Sequence, residues 1–174
     1  MRRKNTTAET LKEYIADALF RLMPTKSIDK ITISEITDLA NVGRATYFRY
    51  FSDKADVITF KLVRLWNRWA EEHNLREKNR FTVEQAKSFF DFNLSIRSFH
   101  KIIYEAKQQT SIYNAFSQVM MPQFGSDAAE CYRNRFLSYG LFGLLDEWIR
   151  RGYRESPQEM AEMVALRILS GHSV

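Results

Sequence analysis

The sequence predicts an almost entirely α-helical protein, and three observations carry that prediction. Glycine and proline number only 6 and 3 in 174 residues, too few for a sandwich or barrel that must turn about every ten residues. Apolar residues recur at helical spacing along nearly the whole chain, the signature of amphipathic helices with one buried face. Capping signatures, a Ser or Thr three positions before a Glu, open several of those stretches, each side chain satisfying a backbone N–H that a helix start leaves free.

The elements follow in order. Leu11, Ile15, Ala18, Leu19 and Leu22 form one stripe of a first helix, with Thr6 and Glu9 as its expected capping box and Pro24 as its stop. A second box, Thr32 with Glu35, opens a short helix whose Ile33, Ile36, Leu39 and Ala40 face one way. Asn41 is the expected left-handed residue after it, because an asparagine tolerates that backbone better than most side chains. Gly43 to Tyr50 then form another short helix, broken at Ser52-Asp53. Two short helices joined by a tight turn are the helix-turn-helix pattern, although any compact helical domain also contains such a pair.

Asp53 caps a long helix from Lys54 to about Leu75, carrying Val57, Ile58, Phe60, Leu62, Leu65, Trp66 and Trp69. The polar stretch Arg76 to Arg80 is expected to be the most loop-like. Further helices are expected over Val83 to Ser98, Phe99 to Gln109 and Ser111 to Met121, then over Ser126 to Arg151 and Pro157 to Leu169. Ser156-Pro157-Gln158-Glu159 signals the last boundary with an N-cap, a proline at the first helical position and an acid at the third. The 24 aromatic residues supply the buried area, since each ring can cover about 150 to 250 Å².

Composition narrows the function classes. The chain carries 26 Lys+Arg against 21 Asp+Glu, a net charge of +5, which permits an anionic partner. No apolar run approaches the roughly 20 residues that cross a bilayer, so the expectation is a soluble cytoplasmic protein without a membrane partner. A lone Cys131 makes neither a disulfide framework nor a thiolate metal site, and its expected state is a semi-buried, unreactive thiol. His73, His100 and His172 are too scattered to ligate one metal. No phosphate loop, nucleophile elbow or metalloprotease motif occurs. Asp146 and Glu147 are consecutive on a helix and point apart. No catalytic residue, metal or cofactor is therefore expected, and the chain is not read as an enzyme.

The first 55 residues or so resemble the TetR family of bacterial transcriptional regulators. The resemblance rests on the patterned first helix, on Ile31-Thr32-Ile33-Ser34-Glu35-Ile36, on Leu39-Ala40-Asn41-Val42-Gly43-Arg44-Ala45-Thr46, and on Tyr50-Phe51 with Lys54. Phe136 to Trp148, Gly152 and Ser156 to Ala161 look like the last two helices of some members, which usually form a dimer interface. The resemblance implies an all-α fold: an N-terminal three-helix helix-turn-helix DNA-binding head over residues 1–54, and a C-terminal helical ligand-binding and dimerisation body over 55–174. The implied function is a homodimeric, sequence-specific transcriptional regulator, more often a repressor, that binds a palindromic double-stranded operator under the control of a small effector. A co-regulator of the same fold that acts through protein partners is the alternative.

Within that reading Arg44 is the expected base reader, its planar donor fork matching guanine O6 and N7. Ala45 is a candidate for a thymine methyl and Ser34 for the groove edge. Thr46, Tyr50 and Lys54 match positions that usually hold phosphates, Lys54 also lying at a helix N-terminus that favours anions. The head carries ten basic against seven acidic residues. Arg2, Arg3 and Lys4 make a basic arm for the minor groove or a disordered tail. At one point the chain departs from the family: members often have an apolar residue where Tyr47 stands and a phosphate-binding tyrosine where Phe48 stands. Either Tyr47 reaches a phosphate, the expectation adopted, or it is buried with its hydroxyl paired locally. Gly43 stands where a capping serine is common.

The body holds 18 of the 24 aromatics. Most are core; Phe89, Phe92, Phe99, Tyr104, Tyr113 and Phe116 are the candidates for an effector pocket, whose aromatic walls suit a small apolar or flat molecule. Tyr132, Phe136, Tyr139, Gly140, Gly143 and Trp148 are the candidates for a dimer interface, the alternative being that this stripe belongs to the domain's own core.

Overall fold

A computed structural model describes residues 7–75, 83–120 and 127–165. No strand occurs among the described residues, which form nine α-helices and one 3-10 turn. They are α1 (Ala8–Leu22), α2 (Ile33–Leu39), α3 (Arg44–Tyr50), α4 (Lys54–Glu72), α5 (Val83–Ser95), α6 (Arg97–Glu105), α7 (Gln109–Met120), α8 (Ala128–Arg150) and α9 (Pro157–Val164), with the 3-10 turn at Ile28–Lys30 between α1 and α2. The all-helical expectation holds.

The described residues fall into two compact units, those of Met1–Arg64 with Lys101–Ala115 and those of Leu65–His100 with Phe116–Val174. In the first unit α1 packs against α2 and α3, and α2 against α3. Its largest fully buried side chains are Ile15, Leu19, Ile31, Ile36, Tyr47, Val57, Ile58 and Ile103. The middle of α4 is tied to α1 by Lys61 with Asp17 at 2.6 Å and by Arg64, whose Nε and Nη2 both donate to Glu13 Oε1 at 2.9 and 2.8 Å. Ser111 of α7 donates to the Ala55 carbonyl at 3.3 Å.

In the second unit α5 packs against α9, burying Ala86, Phe90, Met160, Ala161 and Val164. Trp148 is its anchor: the indole meets Phe90 edge-on at 5.3 Å and Tyr153 at 5.0 Å, and its Nε1 donates to the Glu155 carbonyl at 2.9 Å. His100 is buried, its Nδ1 2.8 Å from the Tyr153 hydroxyl and its Nε2 without a hydrogen-bond partner among the described residues. Burial lowers its pKa to about 4, because the interior disfavours the charged imidazolium.

Four helices end in the same device. After α2, α4, α6 and α8 the residue past the C-cap takes a positive φ, at Asn41 (53°), Asn74 (55°), Lys107 (56°) and Gly152 (73°). Reversed hydrogen bonds then satisfy the last carbonyls, for example Val42 N–H to Thr37 O at 3.0 Å and Tyr153 N–H to Trp148 O at 2.9 Å, the Schellman arrangement. The expected left-handed Asn41 is thus present. The α1 start differs: Thr7 rather than Thr6 is the N-cap, its side chain accepting from the Thr10 N–H, and Thr6 lies outside the described residues.

Candidate nucleic-acid interface

The helix-turn-helix is α2, the turn at Ala40 to Gly43, and α3. Its geometry begins at the α2 cap. Thr32 Oγ1 accepts from the Glu35 N–H at 3.2 Å, and Glu35 Oε2 accepts from the Thr32 N–H at 2.8 Å, the reciprocal box read from the sequence. Lys26 reaches the other carboxylate oxygen at 2.5 Å. The Lys26 hydrogen bond and those from Thr32 hold the Glu35 pKa down, to about 2.

At the other end of α2 the left-handed Asn41 reverses the chain, and Gly43 at φ −76° and ψ 149° becomes the α3 N-cap. No side chain among the described residues caps α3, and a Cβ at Gly43 would meet none of their atoms within 4 Å, so glycine is not sterically required there.

The seven residues of α3 divide into two faces. Tyr47 is 0% exposed and points into the first unit's core, contacting Phe51 at 5.9 Å between ring centroids. Arg44, Ala45, Phe48 and Arg49 are exposed, with Phe48 at 59%. These four sit at i, i+1, i+4 and i+5, one helix face. Thr46 and Tyr50 flank it, half-buried, with the Lys12 ammonium 5.6 Å from the Tyr50 ring. Neither Arg44 nor Arg49 has a carboxylate partner among the described residues. Ser34 is half-buried on α2, where its carbonyl accepts from the buried Thr37 hydroxyl at 3.1 Å. Arg2, Arg3 and Lys4 lie outside the described residues.

Tyr47 requires correction, and Lys54 has partners inside the protein. Tyr47 does not reach outward: burial, with the Asp53 and Asp56 charges, raises its pKa to about 12. Its hydroxyl has no hydrogen-bond partner among the described residues, so neither the outward contact nor the local pairing is found. Lys54 is engaged within the first unit. Its ammonium donates to the Ile28 carbonyl and, at 2.9 Å, to the Ile31 carbonyl, which commits two of its three donors to the end of the 3-10 turn. The start of α4 is also filled by carboxylates, Asp53 accepting from the Asp56 N–H at 2.8 Å and Asp56 from the Ser52 N–H at 2.9 Å. An anion there would face two negative charges.

The sequence reading passed over Arg49 and Phe48. Its signal for them was available, because an inward residue 47 fixes 44, 45, 48 and 49 as the outward face. Giving the phosphate role to whichever residue of the exchanged pair is the tyrosine instead turned Tyr47 the wrong way.

The other candidates are dispersed. Phe89, Phe92 and Phe116 are buried in the second unit and packed ring against ring: Phe89 lies 5.6 Å from Phe116, and Trp66 lies 6.1 Å from Phe89 and 5.1 Å from Phe92. Phe99 is half-buried in the same unit. Tyr104 and Tyr113, also half-buried, belong to the first unit. On α8, Tyr132 and Phe136 are each 78% exposed, Tyr139, Gly140 and Gly143 are exposed, and a Cβ at either glycine would meet nothing within 4 Å. Trp148, assigned with them, is instead 1% exposed. Its place on α8 turns it toward Phe90, with Leu141 and Leu145 on the buried side. Cys131 is exposed rather than semi-buried.

No group of three or more His, Cys, Asp or Glu that could hold a metal forms among the described residues, and none of their helices is long and apolar enough to cross a membrane. Residues 15–59 match the family model described as bacterial regulatory proteins, tetR family, and residues 83–169 match that described as transcriptional regulator C-terminal region. No match is found among curated proteins.

Proposed function

Because the chain belongs to the TetR family of bacterial regulators and is a DNA-binding transcriptional regulator, we propose that it works as a homodimeric repressor of a palindromic operator, controlled by a small-molecule effector. The observation that carries this reading is the outward face of α3, where two arginines without carboxylate partners among the described residues flank an alanine and a phenylalanine. A helix of this shape fits the major groove, in which arginine pairs with guanine and small apolar groups meet thymine methyls. Arg44 is the base reader, Ala45 meets a thymine methyl, Ser34 reaches the groove edge, and Thr46 and Tyr50 approach the backbone. Arg49 adds a phosphate contact. Residues 1–54 do the reading, and residues 55–174 bind the effector and the second subunit.

The exposed Tyr132, Phe136 and Tyr139, with the open Gly140 and Gly143, suit a close helix approach from a second copy; exposed apolar patches of this kind mark partner surfaces. An apolar effector would enter the aromatic cluster of the second unit, displacing part of the ring packing around Phe89 and Phe92. The test is titration of wild type and Arg44→Ala against a selected operator and its single-base variants. Arg44→Ala is expected to lose about 1 to 3 kcal/mol of discrimination at one base position. Unchanged discrimination at every position would remove Arg44 from the readout.

A further inference from the structure

We propose that Phe48 is a specificity-determining residue that reads a thymine of the operator by packing its ring against the 5-methyl group in the major groove. The inference rests on the proposed DNA-reading role of α3 and names what one of its side chains recognises. Phe48 is the most exposed aromatic of the first unit at 59%, on the same face as Arg44, Ala45 and Arg49. A ring there has no donor or acceptor. Against a phosphate or a hydrogen-bonding base edge it would strip water from polar atoms and return nothing. In the major groove the four base pairs offer one apolar feature, the thymine methyl.

The ring is also held for such a contact. Tyr47, immobilised in the core, meets Phe48 edge-to-face at 5.4 Å with the planes at 81°, so Phe48 loses little freedom on binding. Arg44 and Phe48 are four residues apart, about 6 Å along the helix axis. That spacing places the thymine within about two base pairs of the base that Arg44 reads, at about 3.4 Å per pair.

The experiment uses the whole protein and an operator recovered by selection from random duplexes. Each thymine of the half-site is replaced in turn by deoxyuridine, which removes only the methyl. One substitution, within about two base pairs of the position relaxed in Arg44→Ala, is expected to weaken wild type about threefold to tenfold, the scale of one buried methyl. The same substitution should leave Phe48→Ala unchanged, and Phe48→Ala should keep the wild-type salt dependence because no phosphate contact is lost. If wild type selects an operator yet binds every uridine duplex equally well, the Phe48 proposal is overturned while the regulator reading stands. Phe48→Ala with an unchanged operator preference but a flatter salt dependence overturns it as well. If wild type selects no sequence, the DNA reading itself fails, and an exposed phenylalanine beside two arginines is then a protein-docking feature.

Discussion

A buried hydroxyl without a partner costs stability, because it leaves its hydrogen bonds to water and gains none. The Tyr47 hydroxyl has no partner among the described residues, so Tyr47→Phe is expected to raise the unfolding free energy by about 1 kcal/mol and to leave operator affinity unchanged. Denaturant midpoints and binding isotherms check the two halves. Weaker, less salt-dependent binding would instead mean that the hydroxyl touches a phosphate. Lys54 should behave in the opposite way. Lys54→Met keeps the stem but removes the ammonium from the Ile28 and Ile31 carbonyls, and is expected to destabilise the fold by about 1.5 to 3 kcal/mol with the salt slope of binding intact. A slope reduced by about one charge at unchanged stability would restore the phosphate role. At this scale the sequence was a partial guide. Arg44 and Ala45 lie on the outward face as read, but the direction of Tyr47 and the partners of Lys54 depend on where α1 and the 3-10 turn pack, which no local pattern encodes.

Helix boundaries were legible wherever a side chain writes them. Thr32 with Glu35 and Ser156 with Glu159 are reciprocal capping boxes, Asp53 caps α4, and Asn41 makes the left-handed turn. The break between α6 and α7 falls earlier than expected, because Lys107, a good helix former by propensity, takes φ 56° there. The capped elements also set the acid response. Glu35 has a folded pKa of about 2 against an ordinary 4.5, so the unfolded chain binds its proton first, and stability falls as pH drops through that interval. His100, at about 4 against an ordinary 6.5, makes stability fall over the higher interval, from about 6.5 to about 4, since only the unfolded chain protonates there. Unfolding measured across pH is expected to flatten above pH 4.5 in His100→Gln and below it in Glu35→Gln. A parallel acid limb in both variants would contradict these assignments.

For the molecule as a whole, helicity and family were readable from the first 55 residues and the Ser156 boundary, whereas the two-unit division was not. It runs through α4, α6 and α7, and helical periodicity does not say which end of a helix packs with which partner. The same limit explains Trp148, whose stripe on α8 could face inward or outward until Phe90 was placed against it. The proposed dimer is tested on the outward stripe: Phe136→Glu, at a side chain 78% exposed, is expected to halve the solution mass while leaving the helical signal unchanged. A dimer that survives the charge would place the interface elsewhere. The central claim, that the α3 face reads a specific palindrome, is tested most directly by selecting duplexes from a random pool with the purified protein at about physiological salt and sequencing the survivors. The account predicts two inverted half-sites at a fixed separation. Recovery of unrelated sequences, with binding that disappears as salt is raised, would contradict it.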